Sequence, residues 1–181
     1  MLRHGEEETL YNTIEEAMNG TRYELESTGK KLDILYKKLL DRRKDFVEEQ
    51  NGDIESFYLE TELYFESMLY AIDSIGEKLR IIEELMEDYD NKNGIAIYKS
   101  STMASLIEDY RKNEELEVIQ KLLHEQRSNT IIHTEVKIQT NSFSIYADPF
   151  RIDCPEERFT FQKIYETGKD CVKKALEIVT R

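Results

Sequence analysis

The sequence predicts an all-α fold, a four- to five-helix bundle with long antiparallel helices and a short irregular or β-hairpin excursion before the last helix. Charged residues make up 35% and hydrophobic residues 39% of the 181 residues, whereas average domains hold about 25% and about 45–50%. Only seven glycines and two prolines interrupt the chain. Apolar residues recur with a period near 3.6 residues over long stretches, which is the periodicity of an amphipathic helix.

The length fits one domain, so residues 1–181 are predicted to form a single helical domain. Residues 1–20 are predicted as an N-terminal helical extension, because Tyr11 and Ile14 follow helical spacing and Asn19-Gly20 is a typical stop. A longer helix follows from Tyr23 to Glu49, and Asn51-Gly52 ends it.

The next helix is predicted from Asp53, a good N-cap, to Tyr89. Its 37 residues would span about 55 Å unless Gly76 bends it. Because a tight Asn-Gly link separates it from the preceding helix, the two form an antiparallel helical hairpin. The cluster from Asp90 to Gly94 is predicted as a loop.

A third major helix is predicted from a cap at Ser100 or Ser101, with a break near Asn113 and an end near residues 128–130. Within residues 135–148 apolar and polar side chains alternate at Val136, Ile138, Phe143 and Ile145, which predicts a small hairpin or irregular excursion over residues 134–152. Asp153 and Pro155 then begin the last helix, which reaches the C-terminus.

Charge is divided unevenly along the chain. Residues 1–90 hold 24 acidic and 11 basic side chains, a net charge of −13, and residues 91–181 hold 14 of each. Because the acidic half as a whole repels polyanions, a nucleic-acid site is expected in the second half or on the local basic run from Lys37-Lys38 to Arg42-Arg43-Lys44. No run of 18 apolar residues and no secretory signal is visible, which predicts a cytoplasmic protein without a membrane partner. Two cysteines, Cys154 and Cys171, are expected as reduced thiols.

The candidate chemistry centres on histidine, although Gly-rich phosphate loops, Cys-x-x-Cys and His-x-x-x-His motifs are absent. The chain has three histidines, His4, His124 and His133. Of these, His133 is the best placed, because it follows the predicted third helix and lies six residues after Arg127.

The segment from Arg127 to His133 resembles the Arg-x(4–6)-His motif of the HEPN superfamily. These helical-bundle domains include many metal-independent ribonucleases and some nucleotide-binding or inactive members. The order of elements is similar too, since the motif lies near the end of the third helix, before a variable excursion and a last helix. The resemblance implies catalytic roles for Arg127 and His133 and substrate contacts from the polar residues Ser128 and Asn129. It further implies RNA or a nucleotide as ligand, no metal or other cofactor, a homodimer, and an antitoxin or a nucleotidyltransferase as possible partner.

Three other interpretations stay open. Arg127 can satisfy carbonyls at a helix end while His133 packs at a loop. The chain can be a non-enzymatic helical protein-interaction module, with the acidic first half as its contact surface. The least favoured is an all-α, metal-dependent nucleotide pyrophosphatase, which would use Glu62 and Glu66 at i, i+4 and the overlapping pairs among Glu84, Glu87 and Asp90.

Overall fold

Helices dominate the computed structural model, which describes residues 4–49, 54–117, 119–120, 123, 138–139, 151–152 and 161–180. The elements are α1 (His4–Glu49), α2 (Ile54–Asn93), α3 (Thr102–Arg111), β1 (Ile138–Gln139), β2 (Arg151–Ile152) and α4 (Phe161–Val179). Residues 114–117 and 119–120 are helical as well. The predicted all-α bundle is confirmed.

The two long helices α1 and α2 lie antiparallel against each other. Two ion pairs fix their direction: Arg42 Nε lies 3.0 Å from Glu60, near the joined ends, and Lys78 Nζ lies 3.7 Å from Glu24, much farther along both helices. Residue numbers therefore fall along α1 as they rise along α2, so the two helices are antiparallel, which confirms the predicted hairpin. The Asn51-Gly52 link and the predicted cap at Asp53 lie outside the described residues.

The core forms where the inner faces of α1, α2 and α4 meet. On α2 the buried apolar side chains recur at alternating intervals of three and four residues, and on α1 they recur every seven residues from Leu25 to Leu39; both are spacings of a coiled-coil seam. The buried set includes Ile14, Leu25, Leu32 and Leu39 of α1, Phe65, Met68, Ile72, Ile75, Leu79 and Ile82 of α2, and Phe161, Ile164, Val172 and Ala175 of α4. The rings of Phe65 and Phe161 meet edge to face, with centroids 5.1 Å apart. This shared core holds α4 against the hairpin.

Gly168 lets α4 approach the hairpin closely. A Cβ atom at this position would lie 2.8 Å from Leu32 Cδ1 and 2.9 Å from Ile72 Cδ1. Separations this short are repulsive, so a larger side chain would force the neighbouring side chains to shift. The absence of a side chain at residue 168 therefore sets the helix spacing at the centre of the bundle.

The predicted helix stop at Asn19-Gly20 is wrong, since α1 continues through both residues for 46 residues in all. Both residues are exposed, whereas Ile14, Thr21 and Leu25 on the inner face are buried. A glycine inside a helix costs about 1 kcal/mol relative to alanine. Burial of the inner face on both sides of Gly20 outweighs that cost, so tertiary packing overrides the local stop signal.

The predicted loop at residues 90–94 is also wrong for its first four residues, because α2 extends to Asn93. Gly94 ends the helix in a left-handed conformation with φ +67°. The Ile95 amide donates to the Asp90 carbonyl at 3.0 Å, which completes a Schellman cap. Gly94 therefore does end the helix, as glycine often does, but about one turn later than the sequence predicts.

The capping predictions for the third helix are confirmed. Ser101 is the N-cap of α3, and its hydroxyl accepts from the Ala104 amide at 3.2 Å. The helix ends at Arg111, and Asn113 starts the next helical residues by accepting from the Glu115 amide at 3.1 Å through its side chain. The break predicted near Asn113 thus separates two helical pieces.

Between these helical pieces and α4 the structure describes only a few residues. Strand β1 pairs antiparallel with β2, with Ile138 opposite Ile152. The remainder of the predicted excursion, residues 134–152, and the predicted helix start at Asp153 and Pro155 lie outside the described residues. In the part of the chain described here, none of the helices is both long and apolar enough to cross a bilayer.

Candidate functional site

The residues with the strongest sequence-based claim to function lie outside the described residues. These are Arg127, Ser128, Asn129 and His133. The geometry of the proposed catalytic pair is therefore a prediction from the sequence. What the structure describes is the helical framework before and after it, up to Leu123 and from Phe161 onward.

A polar tie joins the helical residues that precede the Arg127 segment to α4. The Glu115 carboxylate forms an ion pair with Lys163, whose Nζ lies 2.6 Å from Oε1. It also accepts a hydrogen bond from the Thr167 hydroxyl at 2.9 Å. The Lys163 ammonium holds the pKa of Glu115 below its ordinary value, and Glu115 in turn raises the pKa of Lys163. Leu116, Ile119 and Leu123, which follow Glu115 in the chain, are buried in the core. The chain is thus anchored on α4 at Glu115, twelve residues before Arg127.

A second polar cluster joins α1 to α4. Lys169 Nζ lies 2.8 and 2.9 Å from the two carboxylate oxygens of Asp33, and the Tyr165 hydroxyl donates to Asp33 at 2.7 Å. The ring of Tyr36 stacks on Tyr165 with centroids 4.3 Å apart. Lys169 lowers the pKa of Asp33, and the hydrogen bond to that carboxylate raises the pKa of Tyr165. A tyrosine held protonated beside a paired carboxylate is suited to fastening helices, not to removing protons.

The only thiol in the described residues is also unsuited to chemistry. Cys171 is fully buried beside Tyr110, and burial raises the pKa of both the thiol and the phenol. Nucleophilic cysteines need the thiolate and access to substrate. Cys171 has neither, so it acts as a core residue; Cys154 lies outside the described residues.

Two of the carboxylates considered for a metal site, Glu84 and Asp90, already have other partners. Glu84 pairs with Arg80, and the buried Asp90 accepts from the Tyr98 amide at 2.6 Å. Glu66 belongs to α2, and the side chain of Glu62 lies outside the description. Among the described residues, no three histidine, cysteine, aspartate or glutamate side chains gather as metal ligands. No described observation favours the pyrophosphatase interpretation.

A small apolar cavity of about 150 Å³ lies beside Asp90, where α1, α2 and the loop after Gly94 meet. It is lined by Tyr11, Ile14, Met86, Tyr89, Asp90, Ile97 and Tyr98. The Tyr98 hydroxyl donates to Glu83 at 3.3 Å, and Arg111 also pairs with Glu83. The bond from Tyr98 fastens the loop to α2, and the bond from Arg111 fastens α3 to α2. The buried Asp90 carboxylate also holds this loop, because it accepts from the Tyr98 amide.

Comparisons with known proteins find no family model, no curated protein and no solved structure that matches this chain. The HEPN resemblance consequently rests on the residues of this sequence and on the order of its helices.

Two long-range contacts of α4, one with the hairpin and one with the helical residues before Arg127, were not predicted from the sequence. Asp33 and Lys169 are 136 residues apart, and Glu115 and Thr167 are 52 apart. No local sequence pattern indicates a contact between residues so far apart along the chain. The burial of Asp90 also went unrecognised, because the cluster of loop-forming residues around it concealed one more helical turn.

Proposed function

We propose that this chain is a HEPN-like domain that cleaves RNA without a metal, or binds nucleotides or nucleic acid, through Arg127 and His133. The observation that carries the proposal is the Arg-x5-His spacing in its sequence context, after the third helical region and before the last helix. The all-α bundle supports it, because a helical bundle with a last helix after this segment agrees with the order of elements that the resemblance implies.

The proposed chemistry needs one proton acceptor and one phosphate ligand. Histidine, with an unperturbed pKa near 6.5, can accept the proton of a ribose 2′-hydroxyl at neutral pH. The 2′-oxygen then attacks the adjacent phosphorus while the 5′-oxygen leaves and takes up a proton, which produces a 2′,3′-cyclic phosphate and a 5′-hydroxyl. Arg127 would stabilise the charge on the phosphate through its planar fork. Ser128 and Asn129 are proposed substrate contacts.

Charge also favours a substrate site in this half of the chain. Residues 91–181 are neutral overall, whereas residues 1–90 carry the whole net charge of −13. An RNA backbone is repelled by a field of its own sign, so its approach is least unfavourable on the second half.

The test is cleavage of an RNA panel by the purified chain in the presence of EDTA. We expect cleavage in wild type and a loss of about 10²- to 10⁴-fold in rate in His133→Ala, the typical worth of a general acid or base. Arg127→Ala should be nearly as damaging, and Arg127→Lys should not restore the rate, because a lysine cannot form the bidentate contact. His124→Ala is the matched control, with wild-type activity expected.

Several results would overturn the proposal. EDTA-sensitive hydrolysis of free nucleotides would favour the carboxylates around Glu62 and Glu66. Equal loss in His133→Ala and His124→Ala would show that neither histidine is specific to the reaction. If the chain neither cleaves RNA nor binds nucleotides, and His133→Ala changes no measured property, the Arg-His interpretation is wrong. Nucleotide binding without turnover, weakened by Arg127→Ala, would identify the inactive form of the proposal.

The second candidate is a non-enzymatic helical interaction module. It is supported by large apolar side chains exposed on the outer face of α2, among them Leu59, Leu63 and Tyr70. The two candidates are compatible, since a ribonuclease can also dock on another protein. An antitoxin or a nucleotidyltransferase remains the proposed class of heterologous partner, and its test is co-purification of the two proteins after joint expression.

A further inference from the structure

The cavity beside Asp90 combines aromatic residues with one buried carboxylate. Three tyrosines line it: Tyr11 from α1, Tyr89 from near the end of α2, and Tyr98 from the loop that follows α2. Asp90 is only 4% exposed. A cavity of about 150 Å³ can hold a molecule of the size of benzene. The space is therefore large enough for a small organic ligand.

One side of the cavity is accessible from solvent. Tyr11 and Ile97 are 61% and 64% exposed, whereas Ile14, Asp90 and Tyr98 are buried. The exposed pair places the mouth of the cavity between α1 and the loop after α2, and the buried residues form its floor. A ligand that enters at the mouth can thus reach the Asp90 carboxylate without unfolding either helix.

The charge at the floor favours a cation. Among the described residues the structure gives the Asp90 carboxylate one hydrogen bond, from the Tyr98 amide to Oδ2 at 2.6 Å. A single neutral donor offsets only part of the cost of burying a carboxylate. Asp90 also lies in the last turn of α2, where the helix dipole presents its negative end. A cation in the cavity would reduce both costs.

The basic side chains at this end of α2 are paired with other carboxylates. Lys92 Nζ lies 2.6 Å from Asp88, and Arg111 pairs with Glu83. The wider field is negative too, because residues 1–90 carry the whole net charge of −13. A negative field raises the local concentration of cations and repels anions. The cavity is therefore unsuited to phosphates and carboxylates.

The aromatic lining favours an alkylated ammonium over a metal ion. Aromatic rings attract organic cations, and pockets with several rings are typical sites for choline and methylated lysine. A metal ion needs several oxygen, nitrogen or sulfur ligands, and no such group gathers in the part of the chain that the structure describes. The methyl groups of an alkylated ammonium can instead pack against the apolar residues Met86 and Ile14.

We propose that this cavity binds a methylated ammonium group, with Asp90 as its counter-ion and Tyr11, Tyr89 and Tyr98 around it. The site lies within residues 11–98, so it stands or fails separately from the Arg127–His133 proposal. From the small size of such a ligand we expect a dissociation constant on the order of 1 mM or lower for choline.

The first test is calorimetric titration of the full chain with choline and with its uncharged carbon analogue, in which a tert-butyl group replaces the trimethylammonium group. The two have the same shape, so the difference between them measures recognition of the charge. We expect the analogue to bind at least about tenfold more weakly. Absence of choline binding at about 10 mM would overturn the proposal, as would equal affinity for the two compounds.

The second test locates the site with two substitutions. Asp90→Asn keeps an oxygen that can accept from the Tyr98 amide but removes the charge, and should weaken choline binding at least about tenfold. Tyr11→Ala removes an exposed ring and should weaken it about threefold or more, whereas Tyr11→Phe should bind like wild type.

Tyr23→Ala is the matched control, because Tyr23 is a 75% exposed tyrosine on α1 that does not line the cavity. Far-UV circular dichroism checks that each variant is folded. Unchanged affinity in both Asp90→Asn and Tyr11→Ala would mean that choline binds elsewhere on the acidic surface. Equal weakening by Tyr11→Ala and Tyr23→Ala would contradict the site as well.

The third test distinguishes two sources of the same group, a free molecule and a methylated lysine side chain. A short peptide that contains one trimethyllysine is titrated beside choline. Tighter binding of the peptide would support a protein ligand, and tighter binding of choline would support a free cation. Failure of both to bind would contradict the proposal.

Discussion

The α1–α2 hairpin and the chain that follows it acquire their structure in different ways. The hairpin consists of helices of 46 and 40 residues whose inner faces carry periodic apolar side chains, and all but its last three residues lie in residues 1–90, which carry the whole net charge. The following chain has a helix of ten residues, shorter helical pieces and α4, fastened by pairs such as Glu115–Lys163. The hairpin is thus specified by a local repeat, and the second half by contacts between distant residues.

The largest stability effect should come from the inner face of the hairpin. Leu32→Ala removes a fully buried side chain between α1, α2 and α4 and should lower the free energy of unfolding by about 2–5 kcal/mol. Ile34→Ala, two residues away and exposed, should change it by less than about 0.5 kcal/mol. Urea denaturation followed by circular dichroism measures both. Equal effects would show that the hairpin face described as core is not what stabilises the chain.

A smaller effect is expected where α4 meets the hairpin. Gly168→Ala places a Cβ within 3 Å of Leu32 and Ile72 and should destabilise the chain by about 1–3 kcal/mol. Gly20→Ala is the control in the opposite direction, because nothing lies within 4 Å of a Cβ there. It should stabilise the chain by about 0.5–1 kcal/mol, the helical preference of alanine over glycine. Thermal unfolding should show a midpoint below that of wild type for Gly168→Ala and above it for Gly20→Ala. A midpoint above that of wild type in Gly168→Ala would contradict the close contact.

The smallest effect is the pH dependence of the tie between α1 and α4. Lys169 and the Tyr165 hydroxyl hold the pKa of Asp33 below its ordinary value. A carboxyl with a lowered pKa in the folded state stabilises above its unfolded pKa, and this contribution is lost as the pH falls below about 4. Because the pair is about half exposed, we expect less than about 1 kcal/mol. Urea midpoints at pH 6 and pH 3.5 should differ less in Asp33→Asn than in wild type. An identical pH difference in the two proteins would mean that Asp33 contributes nothing to it.

The sequence allowed the hairpin to be predicted because its repeat is local, and the same reasoning failed where local signals conflict with packing. Asn19-Gly20 looks like a stop, yet the inner face on either side of it is buried. Ser101 and Asn113 were identified correctly as a cap and a break, since their side chains act on amides two or three residues away. Asp33–Lys169 could not be predicted, because nothing near either residue specifies a partner 136 positions distant.

The candidate site was predictable only in part, and by a different kind of inference. The charge distribution favours the second half as the place of a nucleic-acid site. Because the chain has only three histidines, His133 is the best-placed candidate there. The roles of Arg127, Ser128 and Asn129 come from resemblance to a superfamily, since spacing along a chain does not specify which atoms meet a substrate. Direct evidence must therefore come from the reaction itself.

The most direct measurement is cleavage of a DNA oligonucleotide that contains a single ribonucleotide, in EDTA. If His133 activates a ribose 2′-hydroxyl, wild type and His124→Ala will cut only on the 3′ side of that ribonucleotide and leave a 2′,3′-cyclic phosphate. His133→Ala will leave the oligonucleotide intact. Cleavage of the all-DNA control, or equal cleavage by His133→Ala and wild type, would contradict the assignment of Arg127 and His133 as the reactive pair.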